Sequence, residues 1–102
     1  MGCPTVALSA EEIRHHMEQL ENWTVEGHAL ERRYHSKSYL DGLEKLNGIA
    51  QISETENHHP ELLLEWGRLT IRYWTHTANG ITALDFQLAR QAELILTDAK
   101  NL

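Results

Sequence analysis

Leu62-Leu63-Leu64-Glu65-Trp66-Gly67-Arg68-Leu69-Thr70-Ile71-Arg72-Tyr73-Trp74-Thr75-His76 decides how this chain folds. Two apolar runs flank a glycine, and Gly67 in the first place of a two-residue loop suits a type II′ turn between antiparallel strands. That register sets Trp66 opposite Leu69, Leu64 opposite Ile71 and Leu62 opposite Tyr73. Because side chains alternate along a strand, Leu62, Leu64, Trp66, Leu69, Ile71 and Tyr73 share one apolar face for helices to cover. Glu65, Thr70, Arg72 and Trp74 fall on the other face. Continuing the same pairing away from the turn brings His58-His59-Pro60 beside Thr75-His76, although Pro60 can disturb the last rung.

Upstream, Ser9-Ala10-Glu11-Glu12 forms a capping box, with Leu8 and Ile13 as its hydrophobic staple, and predicts a helix from about Ser9 to about Leu20. Its His15 and His16 are adjacent and point to different sides, so they form no single site. Two short strands joined near Gly27 follow, with Trp23, Val25, Leu30 and Tyr34 as packing residues. Arg32 and Arg33 interrupt their alternation, and His28 and His35 read as turn and strand-end residues. A cap between Ser36 and Ser38 opens a second helix whose stripe is Tyr39, Leu43, Leu46, Ile49, Ala50 and Ser53. It runs to about Asn57 and must end there, because Pro60 disfavours helical geometry at His59. On such a helix Glu54 and His58 stand four apart on one face, so that the carboxylate can orient or charge the imidazole.

After the hairpin, Thr82-Ala83-Leu84-Asp85 is a second capping box, stapled by Ile81 and Phe86, and the helix it starts runs through about Asp98. Asp85 thereby has a structural role as a cap residue. The order helix, two strands, helix, two strands, helix predicts an α+β domain with a four-stranded antiparallel sheet covered by helices on one face. Residues 1–8 read as a flexible extension and residues 9–102 as a single domain.

Composition narrows the function classes. A net charge of −6 over 102 residues, with no cluster of Lys and Arg, argues against a phosphate-backbone binder. Cys3 is the only cysteine, which rules out an intrachain disulfide and a thiolate metal cage and suits a reducing compartment. No stretch is apolar enough to span a bilayer and the start lacks a signal-peptide pattern, so a cytoplasmic location and no membrane partner are expected.

Three converging histidines and a carboxylate allow three readings. An open three-His metal site is one, but adjacent His58 and His59 rarely aim both rings at one ion, so no metal is expected. A structural cluster that satisfies buried backbone groups is the second. General acid and base catalysis is the third, since imidazole titrates near neutral pH and two rings of opposite protonation could move one proton on and another off a substrate.

Glu54, His58, His59, Pro60, Trp66, His76 and Asp85 stand at a spacing that resembles the pterin-4a-carbinolamine dehydratase motif at every position. In that motif an acidic or polar residue is followed after three positions by His-His-Pro. After five more comes an aromatic residue, after nine a His and after eight an Asp. The similarity extends from about Ser9 to about Asp98. It implies an enzyme that removes water from 4a-hydroxytetrahydropterin to give quinonoid dihydropterin, recycling the cofactor of aromatic amino acid hydroxylases, with no metal or organic cofactor. It further implies that His58, His59 and His76 surround the pterin as catalytic residues. Glu54, Pro60, Thr75, Thr77 and Ala78 would line the substrate pocket. Members of such a family commonly form dimers or tetramers, so a homo-oligomer is expected. The resemblance also implies an alternative function: animal relatives look like dimerisation partners for a homeodomain transcription factor, with the same fold serving as a binding module.

Overall fold

A computed structural model describes residues 6–97. Residues 1–5 of the expected extension, and Asp98, the expected end of the last helix, lie outside the described residues. Ser9 caps helix α1 (Ala10–Met17) with both halves of the capping box formed: its hydroxyl accepts the Glu12 amide at 3.1 Å and its own amide donates to Glu12 at 2.8 Å. Strands β1 (Trp23–Glu26) and β2 (Ala29–His35) turn at Gly27, which takes φ +66°. Helix α2 (Tyr39–Thr55), strands β3 (Glu61–Glu65) and β4 (Arg68–Tyr73) and helix α3 (Ala83–Leu96) complete the chain. All strand pairs are antiparallel, in the order β1-β2-β4-β3. The fold is therefore the expected α+β arrangement, helix-strand-strand-helix-strand-strand-helix.

The hairpin forms with a different register. Glu65 pairs with Arg68, Leu64 with Leu69 and Leu62 with Ile71, which leaves Trp66 and Gly67 as the loop. Gly67 occupies the second loop position with φ +80°, the sign a type II turn requires there, instead of the first position of a type II′ turn. The slip is two residues, an even number, so every strand side chain keeps its face. Leu69, Ile71 and Tyr73 are fully buried under the helices, Leu62 and Leu64 partly so, and only Trp66 leaves the predicted face, 84% exposed at the turn.

Two other expectations change. Tyr39 and Leu43 sit on the exposed side of α2, and the buried stripe is Gly42, Ile49 and Ser53. Gly42 is the cause: a Cβ there would lie 2.8 Å from the Leu64 side chain, so the helix packs on the sheet through its glycine. Val25 lies on the outer strand β1 and is 42% exposed instead of packed. Arg32, which interrupted the β2 pattern, opposes Ile71 on the helix-covered face and is neutralised there by Glu93 of α3, with Arg32 Nε donating at 2.9 Å. The Trp23 indole donates to the same carboxylate at 2.8 Å. Burial pushes the Glu93 carboxyl up, but these donors outweigh it and hold it below its ordinary value. Among the described residues no helix is long and apolar enough to cross a membrane.

Candidate functional site

The site begins where α2 ends. The amide of Asn57 donates to the Glu54 carbonyl at 3.1 Å and that of His58 to the Ser53 carbonyl at 3.0 Å, while Asn57 takes φ +52°. This is a Schellman ending with Asn57 in the left-handed position. The helix thus stops two residues before the expected point, and the face shared by Glu54 and His58 does not exist. Asn57 itself was the available signal, since asparagine is one of the few residues that adopt that conformation easily.

Turned off the helix, His58 points inward. Its Nε2 meets Asp85 Oδ1 at 2.5 Å, and its ring is stacked on Tyr73 with centroids 6.2 Å apart and planes 10° apart. Asp85 is fully buried, the His58 side chain 13% exposed. The other carboxylate oxygen, Oδ2, accepts from the Thr82 amide at 2.8 Å and from the Thr75 hydroxyl at 2.8 Å, and the two threonine hydroxyls share a further bond at 2.9 Å. Asp85 therefore caps α3 as expected and also holds His58, a contact the capping argument alone excluded from view. With Nε2 donating to the carboxylate, Nδ1 is the nitrogen of His58 left for a ligand.

Behind this pair the Tyr73 hydroxyl donates to Ser53 Oγ at 2.6 Å, since the Ser53 proton is committed to the Ile49 carbonyl at 2.7 Å. Burial pushes the Tyr73 phenol up to about 12, so it stays protonated and serves as a rigid wall for the His58 ring.

Glu54 binds the neighbouring residue. Its Oε1 lies 2.7 Å from His59 Nε2, which corrects the expected pairing with His58. Both side chains are largely exposed, at 80% and 56%.

The third histidine stands on a short loop closed by a bridge between Thr75 and Gly80, whose backbone groups exchange bonds of 2.9 and 3.3 Å. A single 3-10 turn, His76–Ala78, fills it, and Asn79 closes it with φ +54°. The open end of the hairpin brings this loop beside residues 57–59, as strand counting predicted. Asn57, His58, His59, Trp74, Thr75, His76, Thr77 and Leu84 line one cavity of about 480 Å³. Of the expected pocket residues, His58, His59, His76, Thr75 and Thr77 meet there. Glu54 and Pro60 instead line a second cavity of about 360 Å³ with Asn47, Gln51 and Leu62, on which His59 also borders. Ala78 borders neither, and Trp66 of the motif lies at the opposite end of the hairpin. Trp74, Leu84 and Asn57 join the cavity from outside the expected set, Trp74 from the face of the hairpin opposite the helices and Leu84 from the first turn of α3. Among the described residues no three His, Cys, Asp or Glu side chains are grouped to hold a metal ion.

Three imidazoles around one cavity, one of them tied to a buried carboxylate, can give and take protons on a planar ligand of modest size. Residues 6–95 match the family described as pterin 4 alpha carbinolamine dehydratase. A protein of Alkaliphilus metalliredigens (strain QYMF), provisionally named a pterin-4-alpha-carbinolamine dehydratase, is 38% identical over 91 residues, covering 87% of this chain and 82% of that one. One from Vibrio cholerae with the same provisional name is 34% identical over 94 residues, covering 88% and 86%. The crystal structure of a transcriptional coactivator/pterin dehydratase from Brucella melitensis matches this fold with a TM-score of 0.83 at 26% identity, over 88% of this chain and 98% of that chain. The chain belongs to the pterin-4a-carbinolamine dehydratase family.

Proposed function

We propose that this protein dehydrates a 4a-hydroxytetrahydropterin to the quinonoid dihydropterin, and so returns a spent tetrahydropterin cofactor to use by aromatic amino acid hydroxylases. The observation that carries the reading is the convergence of His58, His59 and His76 on one cavity, with Asp85 buried behind His58. In the reaction the C4a–O bond breaks, the N5 proton leaves and a C4a=N5 double bond forms. One group must protonate the departing hydroxyl and another must accept the N5 proton.

His58 suits the second role. Nδ1 faces no protein partner among the described residues, and the Asp85 carboxylate stabilises the imidazolium that forms when the proton arrives. His76, across the cavity, is the acid for the 4a-hydroxyl, and His59, held by Glu54, orients the ring. Acid and base assistance of this kind contributes roughly a hundredfold to ten-thousandfold each. Tyr73 takes no part as an acid, its hydroxyl being committed to Ser53.

Stopped-flow absorbance of the purified chain with 4a-hydroxytetrahydropterin tests this. The rate should exceed the uncatalysed dehydration and collapse in the His58→Ala, His76→Ala double variant. A double variant that turns over at the parental rate sinks the assignment.

A second reading, a binding module for another protein, is favoured by the exposed row Tyr39, Leu40 and Leu43 on α2 and by the description of the Brucella melitensis protein as a transcriptional coactivator as well as a pterin dehydratase. The same row would serve a homodimer or tetramer. Light scattering then gives a multiple of 11.7 kDa, whereas a mass of one chain excludes self-association.

A further inference from the structure

His76 lacks what the other two cavity histidines have. Among the described residues its imidazole meets no carboxylate and no hydrogen-bond partner, and the side chain is exposed. Its neighbour is the indole of Trp74, with ring centroids 4.8 Å apart and planes 37° apart. That indole is itself enclosed. His28, from the turn between β1 and β2, meets it edge-on at 5.0 Å and 86°. The Arg72 guanidinium stands 5.7 Å from its centroid. Arg72 is fixed in turn, with Nη1 2.7 Å from Glu31 and Nε 3.1 Å from Glu61. Contacts therefore run without a break from carboxylates on β2 and β3, through Arg72, to the indole and on to His76.

We propose that Trp74 is the positioning residue of His76. Its indole sets the plane in which the imidazole enters the cavity, and Arg72 and His28 keep the indole from turning. The physical need is plain. An exposed histidine with no hydrogen bond samples several rotamers, and proton transfer requires one of them at the reacting atom. A carboxylate fixes a histidine through one nitrogen, as Asp85 does for His58; an aromatic face fixes it through the ring and leaves both nitrogens available. An acid that must release a proton and regain one from water has use for both. The surrounding groups fit the task, because the rings of Trp74 and His28 meet edge to face and the indole π system attracts the Arg72 cation.

The catalytic consequence rests on the dehydratase reading above; the positioning itself does not. The test uses the full chain as Trp74→Leu, Trp74→Phe and His28→Ala variants. In the ligand-free protein, the ring protons of His76, identified by comparison with His76→Gln, should be displaced upfield in the NMR spectrum by the indole ring current. Trp74→Leu should abolish that displacement, Trp74→Phe should keep part of it, and His28→Ala should reduce it while leaving the fold intact, since His28 is exposed. In the dehydration assay, Trp74→Leu should lower kcat by about tenfold to a hundredfold with KM nearly unchanged, the penalty of a misplaced catalytic group, and Trp74→Phe should recover most of it. Identical His76 resonances in the parent and in Trp74→Leu overturn the proposal. So does a rise in KM at constant kcat, which would make the indole a surface for the ligand. Should Trp74→Leu fail to fold, unchanged His76 resonances in His28→Ala and Trp74→Phe overturn it equally. If the parent does not dehydrate the pterin, the function reading fails by itself and the NMR comparison still decides the positioning.

Discussion

His58 and His59 are neighbours in the chain and each has a carboxylate at Nε2, yet one pair is buried and the other stands in water. Asp85 reaches His58 from a helix start, with two threonines and a backbone amide consuming its second oxygen, so it cannot move without breaking α3's cap. Glu54 reaches His59 from the last turn of α2, and among the described residues nothing else holds its carboxylate. The same two functional groups thus give a fixed imidazole in one case and a loosely tethered one in the other. Low local dielectric and full hydrogen bonding make the first contact strong, while screening and side-chain entropy weaken the second. Sequence adjacency says nothing about which is which.

That contrast breaks first at Asp85. Asp85→Asn keeps an oxygen for the Thr82 amide but turns a donor toward His58, which forces the other tautomer and removes Nδ1 as an acceptor. Dehydration should fall by on the order of a hundredfold or more, with the protein still folded by circular dichroism. A loss below about threefold would mean that the buried pair is only architectural.

Glu93 supplies an intermediate case, a carboxylate 20% exposed and shared by Arg32, Trp23 and Asn22. Its folded pKa lies below the ordinary value of 4.5 because these donors outweigh burial, so the unfolded chain binds the proton more readily. The stability it contributes is fully present above pH 4.5 and is lost as pH falls through the folded value. Urea midpoints should therefore drop on acidification below pH 4.5, and Glu93→Gln should start lower at neutral pH and drop less steeply. Parallel curves for the two proteins would remove Glu93 from the account.

Glu54 should matter least. Glu54→Gln is expected to change dehydration by less than about threefold and melting hardly at all, as for other exposed pairs. A loss as large as that of Asp85→Asn would erase the distinction between the two histidines.

Much of this was legible in the residues, for local reasons. Capping boxes at Ser9 and Thr82, alternation in Leu62–Tyr73 and the rule that an antiparallel hairpin returns to its start were enough to place His76 beside His58 and His59. What failed was long-range or conformational. The partner of each histidine depended on one left-handed residue, Asn57, which swings the chain through a direction that periodicity cannot carry. The enclosure of Trp74 depended on the strand order β1-β2-β4, because only that order lays the turn holding His28 near the end of β4. The buried side of α2 depended on Gly42, a residue that hydrophobic patterning does not count.

The hairpin between the site and Trp66 also sorts changes of chain length into two kinds. A residue added at the Trp66–Gly67 tip lengthens a loop at the far end and leaves every rung toward the cavity in place. One added inside β4 must either bulge or reverse the faces of all residues beyond it, exchanging Tyr73 for Trp74 beneath the helices. Engineered insertions should therefore be carried best at the tip, where a peptide tag or a fluorophore could be placed on a working protein.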